Sequence, residues 1–548
     1  MAQTMIFTSP FPKADIPNLD LPTFIFNYAK ANTVYGKDPK LVAIVGATES
    51  LSFGEFEARS ISFASGLYNR LGFRQGDMLA IVLPNSHLYP VAVLGTHMVG
   101  GIVTTANPAY TARELAHQFQ ETQPKIVLTQ QSSISVVKEA LAAANLSNTK
   151  ILTTDGSTDN VMFSSEPFPR VHLQTAEQAN STPAFIVFSS GTSGKPKGVK
   201  LSHKNLVANA IQFLHVDSGD KKLMREMQSK FQRRWLQVLP MFHIYGILVS
   251  NVPILSGGVI VVMEKFDFAQ FCSLIQQHRI DTVYVAPPII LALAKSPEVS
   301  KYDISSLRYI NSGAAPLSKE LQLEAERKLN LFVTQGYGMS ETSPLVARSM
   351  CGVSKAGSIG QLCPNTEAIF IDEDGKRVGV NQTGELCVRG PQVMLGYYHN
   401  EAATKETLAE DGFLHTGDIG HIDNNGEIFV TDRKKELIKY KGFQIPPAEL
   451  EGLLTDHPAV VDAAVIPVYN KSQATELPKA FVVVRPGAKC PGIEDEISQW
   501  ISKRVVDYKR LRGGIEITDA IPKSATGKIL RRVLKDLEVQ RLKQKAKI

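Results

Sequence analysis

The segment Ser189-Ser190-Gly191-Thr192-Ser193-Gly194-Lys195-Pro196-Lys197-Gly198 gathers three glycines, four hydroxyls and two lysines directly after an apolar run. Glycines let a backbone approach a ligand closely, hydroxyl and free N–H groups hold anionic oxygens, and lysines supply charge. The segment therefore reads as a phosphate cradle. It is not a Walker A loop, because only two residues separate Gly191 from Gly194-Lys195 and Pro196 stands where Ser or Thr is required. Other residues able to do chemistry lie far apart: Glu341 after a glycine-rich turn, Asp418 after Thr416-Gly417, Arg433 in a charged run, Lys528 in a Ser-Ala-Thr-Gly-Lys turn. Taken singly, each has a plain alternative: a solvated glutamate, a turn-forming aspartate, two surface cations.

The elements that must position them alternate. Apolar runs such as Met78–Pro84, Lys125–Gln130, Gly257–Met263, Asp281–Pro287, Leu307–Gly313 and Leu331–Gly338 read as strands. Between them, Ala112–Pro124, Ser133–Asn145, Phe268–Ile280 and Ser318–Asn330 have helical spacing. Continuous apolar strands joined by helices predict mostly parallel sheets covered on both faces. The cradle is expected between the strand at Phe185–Ser190 and a helix from about Ser202. After Gly338 the texture changes to strands with turn chemistry, including a hairpin at Asn425-Gly426. A small α+β unit is expected from Lys434, its clearest helix spanning Ile493 to about Lys509. The predicted fold class is thus α/β: a large N-terminal domain of mostly parallel sheets with covering helices and a β-rich subdomain (1–433), then a small mobile α+β domain (434–548). The polar run Asp432–Lys435 is the expected hinge.

Composition narrows the classes. The chain has 548 residues, 43% hydrophobic and 20% charged, which suits a globular protein of about three or four domain-sized units. Net charge is +6, and the segment 528–548, with eight basic and two acidic residues, carries all of it. A generally basic nucleic-acid binder is therefore disfavoured, and no nucleic-acid partner is expected. Five scattered cysteines without a C-x-x-C pair argue for a reducing compartment and against structural zinc. No charged n-region with an apolar h-region opens the sequence, so secretion is not expected. Ile244–Met263 carries no charge over 20 residues, but Asn251, Pro253, Ser256 and Gly257-Gly258 make it a buried helix, a turn and a core strand rather than a membrane span. The basic stretch Asp217–Arg234 is expected to be a solvated helix or loop, with contact to ligand phosphates or an anionic surface as the lesser option.

The loop at 189–198 resembles the signature loop of the adenylate-forming superfamily, which comprises acyl- and aryl-CoA ligases, luciferases and peptide-synthetase adenylation domains. Its other motifs follow in order: Pro240–Tyr245, Asn311–Leu317, Gln335–Thr342, His415–Asp418, Asp432–Gln444 and Pro522–Lys528. The wording is most similar to that of 4-coumarate–CoA ligases and their acyl-CoA synthetase relatives. The resemblance implies ATP, CoA and a small carboxylic acid as substrates with Mg²⁺ as cofactor: attack on the α-phosphate forms an acyl-adenylate and pyrophosphate, and a thiol then forms acyl-CoA and AMP. Such chemistry needs cations and N–H donors aimed at the phosphates, whereas the thiol step needs no strong base.

Residue by residue, the resemblance assigns Ser189, Ser190, Gly191, Thr192, Ser193 and Lys197 to the ATP phosphates. It assigns Gln335, Gly336, Tyr337 and Ser340 to the nucleotide, Asp418 to the ribose hydroxyls, and Arg433 beside them. Glu341, with Thr192, would hold Mg²⁺, a hard ion that prefers oxygen. Lys528 matches a mobile lysine bridging carboxylate and phosphate, and Lys439 and Gln444 match positions near the adenylate. Lys435 takes the hinge position, His243 a gate between acid and nucleotide, and Lys265, Lys441 and Gly442 the CoA path. Tyr245, Val249, Ala314, Gly338, Pro344 and Leu345 fall at or beside the acid pocket. Val249 stands where plant coumarate ligases often have Ser, which makes the pocket more apolar, and Ser340 replaces a Thr while keeping the hydroxyl.

The expected acid is hydroxycinnamate-like; a medium- or long-chain fatty acid, or a luciferase-like oxygenase, is the alternative. A serine hydrolase fails because Gly338-Met339-Ser340-Glu341-Thr342 ends in Thr where G-x-S-x-G needs Gly. A noncatalytic binder should have lost Lys528 or Glu341, and both are present. Ala546-Lys547-Ile548 has the small–basic–aliphatic order of a peroxisomal C-terminal signal, which predicts peroxisomal location and an import receptor as partner, with cytoplasm as the alternative.

Overall fold

The computed structural model describes residues 5–155, 159–189, 196–220, 232–441, 443–470, 473, 475–525 and 527–545. Six parallel strands form the centre of a nine-stranded sheet, in the spatial order Val42–Val45, Val259–Val262, Arg234–Gln237, Thr282–Val285, Tyr309–Ser312 and Phe332–Gly338. Antiparallel strands close both edges, Ser50–Ser52 on one side and Leu345–Arg348 with Gln361–Leu362 on the other. A seven-stranded sheet has the parallel run Pro183–Ser189, Ile102–Thr105, Met78–Ile81, Ile126–Thr129 and Lys150–Thr153. Strands such as Val259–Val262 and Met78–Ile81 are buried at every position, as sheets covered on both faces require. The helix Leu88–Met98 is buried almost all round, and Ile244–Leu255 nearly so, as befits helices inside a core rather than on a surface. Ile244–Leu255, the turn at Gly257-Gly258 and strand Val259–Val262 together account for the uncharged 20-residue stretch. Among the described residues no helix is long and apolar enough to cross a membrane.

A third sheet is antiparallel: Phe7–Thr8, Glu367–Ile371, Gly384–Arg389, Leu414–Ile422 and Ile428–Arg433, with Arg377–Val378 beside it. The turn at Asn425-Gly426 joins its last two strands, with Gly426 at φ +77° where a side chain would be strained. The chain beyond has its own core, built on the hairpin Val460–Asn470/Thr475–Val484, strand Ile515–Ile517 and the helices Pro447–Thr455 and Ile493–Ser502.

The helix expected from about Ser202 is present as His203–Gly219, capped by Ser202. One strand was not foreseen and two expectations need correction. The unforeseen strand is Lys197–Ser202, antiparallel to Pro183–Ser189, between the cradle and that helix. Val199 and Leu201 are fully buried while Lys200 is not, the two-residue alternation of a strand. The helix expected to reach Lys509 stops at Ser502, and Asp507–Lys509 is a separate 3₁₀ turn. The basic stretch is not solvated at its ends: Asp217 and Asp220 are buried, Asp217 lies 2.6 Å from the Arg348 guanidinium, and Arg233 stacks over Trp235. Residues 221–231 of it lie outside the described residues.

Candidate active site

Parallel strands leave their crevice at the carboxyl ends. Here the end of Phe332–Gly338, which lies in parallel beside Tyr309–Ser312 and Thr282–Val285, reaches the third sheet through Tyr337. Asp418 on Leu414–Ile422 pairs in register with Arg433 on Ile428–Arg433, and the Arg433 Nε lies 3.3 Å from Asp418 Oδ1. The Tyr337 hydroxyl donates to Asp418 Oδ2 at 2.5 Å. Burial pushes the Asp418 carboxyl above its ordinary range, while Arg433, Tyr337 and Lys528 act in the opposite direction.

Lys528 reaches this place from the small domain. Its turn is closed by hydrogen bonds from Ser524 N to Lys528 O (2.8 Å) and from Gly527 N to Ser524 O (2.9 Å). A Cβ on Gly527 would stand 3.0 Å from Ala286 Cβ, so this glycine lets the turn sit on the large domain. Burial, then the nearby charge of Arg433, bring the Lys528 ammonium down to about 8. Two cations thus converge beside one buried carboxylate, a surplus of positive charge suited to an anion.

Glu341 is buried after the Phe332–Gly338 strand, and its Oε1 accepts from the Tyr397 hydroxyl at 2.8 Å. Lys197 Nζ lies 4.9 Å from the centre of the same Tyr397 ring. Burial raises the Glu341 carboxyl, opposed by Tyr397 and by the charges of Arg433 and Lys197. A buried carboxylate among cations and a phenol donor is a fitting ligand for a hard divalent ion. Tyr397 was not foreseen; in sequence it is one of two adjacent tyrosines after a glycine, and only its pairing against Val199 brings it here. Ser189 ends its strand at this edge, whereas Ser190, Gly191, Thr192 and Ser193 lie outside the described residues.

On the opposite side, His243 caps the helix Ile244–Leu255, and Tyr245 N donates to its Nδ1 at 3.3 Å. Burial and the Lys528 charge pull His243 down to about 4, so the ring is neutral near pH 7. Tyr245 Oη donates to Asn311 Oδ1 at 2.8 Å, and a Cβ on Gly313 would stand 2.7 Å from the Tyr245 ring. Asn311 in turn donates to Thr334 Oγ1, which shares a 2.5 Å hydrogen bond with Tyr309, whose hydroxyl accepts from Arg348. A polar chain therefore runs from Tyr245 to the Arg348–Asp217 pair. Only Tyr245 in it was expected. Val249 lies one helical turn after Tyr245 and is buried. Ala314 adopts φ +67°, an unusual conformation that turns the chain at the strand end. A Cβ on Gly338 would fall 1.8 Å from Pro344 O, so only glycine permits that turn, and Leu345 is held by Asn209 on both its N–H and C=O.

Other expected residues are not gathered here. Lys439 and Gln444 are register partners on the hairpin Ile438–Tyr440/Phe443–Ile445, exposed, with Gln444 donating to Glu373. Lys441, at φ +46°, is exposed on the same hairpin, and Gly442 lies outside the described residues. Lys265 and Lys435 are exposed. The Gln335 side chain is taken up by Leu317 N and Gln322. Gly336 passes beside Asn311, and Ser340 opens the 3₁₀ turn that carries Glu341.

Residues 31–398 match the AMP-binding enzyme family model, and residues 449–528 that of the AMP-binding enzyme C-terminal domain. The chain is 40% identical over 546 residues to 4-coumarate–CoA ligase 1 of Petroselinum crispum, covering 97% of each chain. It is 40% identical over 550 residues to 4-coumarate–CoA ligase 3 of Arabidopsis thaliana, covering 97% of this chain and 93% of that one. Among solved structures, ATP-bound MatB from Rhodopseudomonas palustris superposes with a TM-score of 0.82 at 28% identity, covering 94% of this chain and 98% of the other. The o-succinylbenzoate CoA synthetase from Bacillus subtilis, in complex with its acyl-adenylate, gives 0.77 at 26% identity, covering 95% and 98%.

Proposed function

The chain belongs to the AMP-binding enzyme family as an AMP-forming acid–thiol ligase, and on that premise we propose that it joins a hydroxycinnamate-like aryl acid to CoA in two steps. The observation that carries the reading is the convergence of Lys528, from the small domain, on Asp418, Arg433 and His243 of the large one. Charge grows on the α-phosphate as pyrophosphate leaves, and an ammonium already in place stabilises it without reorganisation. Asp418 keeps an acceptor for ribose hydroxyls, oriented by Tyr337 and Arg433. A neutral His243 can stand between acid and nucleotide without competing for the carboxylate's negative charge. Glu341, set by Tyr397, is the residue that would hold Mg²⁺, which supplies charge neutralisation on the phosphates when bound.

Support for an aryl acid comes from Tyr245, an aromatic ring set close against Gly313 at the strand end. The second reading, an alkyl acid, is favoured by Val249, an apolar side chain on the same helix face. Pyrophosphate release measured across hydroxycinnamic, benzoic and C6–C16 fatty acids, with and without CoA, separates them. Highest kcat/KM on hydroxycinnamates supports the first; preference for fatty acids transfers the reading to the second. Peroxisomal import through Ala546-Lys547-Ile548, which lies outside the described residues, belongs to the same proposal. A fluorescent fusion with a free C-terminus should appear punctate and become diffuse when the three residues are deleted.

A further inference from the structure

Among the described residues, one group of three donors outside the site has metal-ligand character: Glu385, Cys387 and His415. Its geometry follows from the strands. Glu385 and Cys387 stand two apart on Gly384–Arg389, and His415 pairs in register with Cys387 from Leu414–Ile422. An irregularity between Glu385 and Cys387 bends the strand so that all three converge. His415 Nδ1 lies 3.6 Å from Cys387 Sγ and 3.5 Å from a Glu385 oxygen, and all three ligand atoms are within 4.8 Å of one another. Bonds of about 2.3 Å to sulfur and about 2.0 Å to nitrogen or oxygen, at tetrahedral angles, place such atoms about 3.3–3.6 Å apart. The edges through His415 already have that length.

We propose that Glu385, Cys387 and His415 form a binding site for a thiophilic divalent cation of the zinc class, set against the hinge between the domains. A sulfur, an imidazole and one carboxylate oxygen select Zn²⁺ or Co²⁺ and reject Mg²⁺, which requires oxygen ligands. The site is therefore separate in chemistry from Glu341. Binding takes the neutral imidazole through Nδ1, with its proton on Nε2, and releases the Cys387 thiol proton to solvent. His415, about one-third exposed, gives the route of entry, and a water completes the fourth position. Glu385 would bind through Oε1, which keeps a second lone pair beside the hydrogen bond it accepts from Gly417 N at 3.2 Å, because its Oε2 is held by Lys434 Nζ at 3.0 Å. Lys434, a member of the hinge run Asp432–Lys435 that also donates its N–H to Gly417 O, thus ties the site to the hinge, and its charge opposes occupancy.

The test is titration of the full, chelator-treated chain with Co²⁺. One equivalent should bind with a thiolate-to-cobalt charge-transfer band, lost on adding one equivalent of Zn²⁺ and indifferent to millimolar Mg²⁺. Cys387→Ser should abolish the band, and Cys490→Ser, which alters the exposed cysteine, should leave it intact. His415→Gln and Glu385→Gln should each weaken Co²⁺ binding by about tenfold or more. Lys434→Ala should tighten it by about tenfold, as expected for removing a cation a few ångströms from a divalent ion near the surface. A band that survives Cys387→Ser, or disappears with Cys490→Ser, overturns the proposal. Should Cys387→Ser fail to fold, unchanged Co²⁺ affinity in both His415→Gln and Glu385→Gln overturns it equally.

Discussion

Two parts of the small domain make opposite use of the same kind of residue. The turn at Ser524–Lys528 holds its lysine half-buried beside Asp418, Arg433 and His243 of the large domain. The hairpin Ile438–Ile445 turns Lys439, Lys441 and Gln444 outward, and its backbone is tied instead to Glu476 and Thr475 of its own domain. Both belong to the same small unit, the hairpin packing in one apolar cluster through Ile438 and Ile445 and the turn lying beside another through Ile521 and Ile529. A single orientation of that unit cannot present both to the crevice. The contrast therefore supports a division of labour in time, with Lys528 serving adenylation and the hairpin serving a later pose reached by rotation at Asp432–Lys435.

The sharpest way to break this contrast is Lys528→Ala. Losing a preorganised cation should slow adenylation by on the order of 10²-fold or more, read as pyrophosphate release. Thioester formation from chemically made acyl-adenylate and CoA should remain near normal. Equal losses in both steps would dissolve the distinction. The pH profile gives a second reading of the same group. Lys528 titrates at about 8, so the charged form is present below that pH and lost above it. The free-enzyme kcat/KM for ATP should decline as pH rises through about 8, and Lys528→Arg, charged throughout, should lack that limb.

Lys435→Pro should do the reverse. Proline fixes φ and removes an N–H, which stiffens the segment that must absorb the rotation. Adenylation should persist, while thioester formation from the preformed adenylate should fall by at least about tenfold, as expected when a conformational step becomes limiting. Asp432 adds a constraint, since its carboxylate accepts from Ala448 N at 2.8 Å and so anchors the large-domain side of the hinge to the first small-domain helix.

How much of this was legible in the sequence depends on whether the signal was local. The strand–helix alternation and the turn at Asn425-Gly426 follow from periodicity and turn chemistry within a few residues. The strand Lys197–Ser202 was not seen, because it is short and only Val199 and Leu201 mark its apolar face between the glycine-rich loop and the helix. Tyr397, Asn311 as partner of Tyr245, and the Asp217–Arg348 pair were invisible for a different reason. Their partners lie 56, 66 and 131 residues away respectively, and only the packing of helices and turns against the sheets brings them together. Asp217 in a basic stretch reads as solvated until the buried guanidinium opposite it is known.

Tyr397→Phe sharpens the picture on the large-domain side. It removes the one phenol donor to Glu341 Oε1 while keeping the ring that lies beside Lys197. A hydrogen bond to a charged group contributes about 1.5–3 kcal/mol, but water can replace part of it in a crevice. An increase of about fivefold in the Mg²⁺ concentration needed for half-maximal pyrophosphate release is expected, with the thioester step from preformed adenylate unaffected. An unchanged Mg²⁺ requirement would separate Glu341 from the ion.

The smallest expected effect concerns Val249, and it tests the acid pocket rather than the domain motion. Val249 sits one turn beyond Tyr245, so the two share a helix face, yet its own burial is equally consistent with plain core packing. Val249→Ser distinguishes these. Serine is smaller and can return its hydroxyl to the Tyr245 carbonyl four residues earlier, so the polar atom need not be left unpaired. If the side chain only fills the core, the variant should lose about 1–2 kcal/mol in thermal or urea unfolding and treat all acids alike. If it lines the pocket, the ratio of kcat/KM for a ring-hydroxylated cinnamate over a C8–C10 fatty acid should rise about threefold, because one new polar contact is gained and apolar surface is lost. A ratio unchanged within error, together with the stability loss, would remove Val249 from the pocket and leave Tyr245 and the Gly338 turn as its walls.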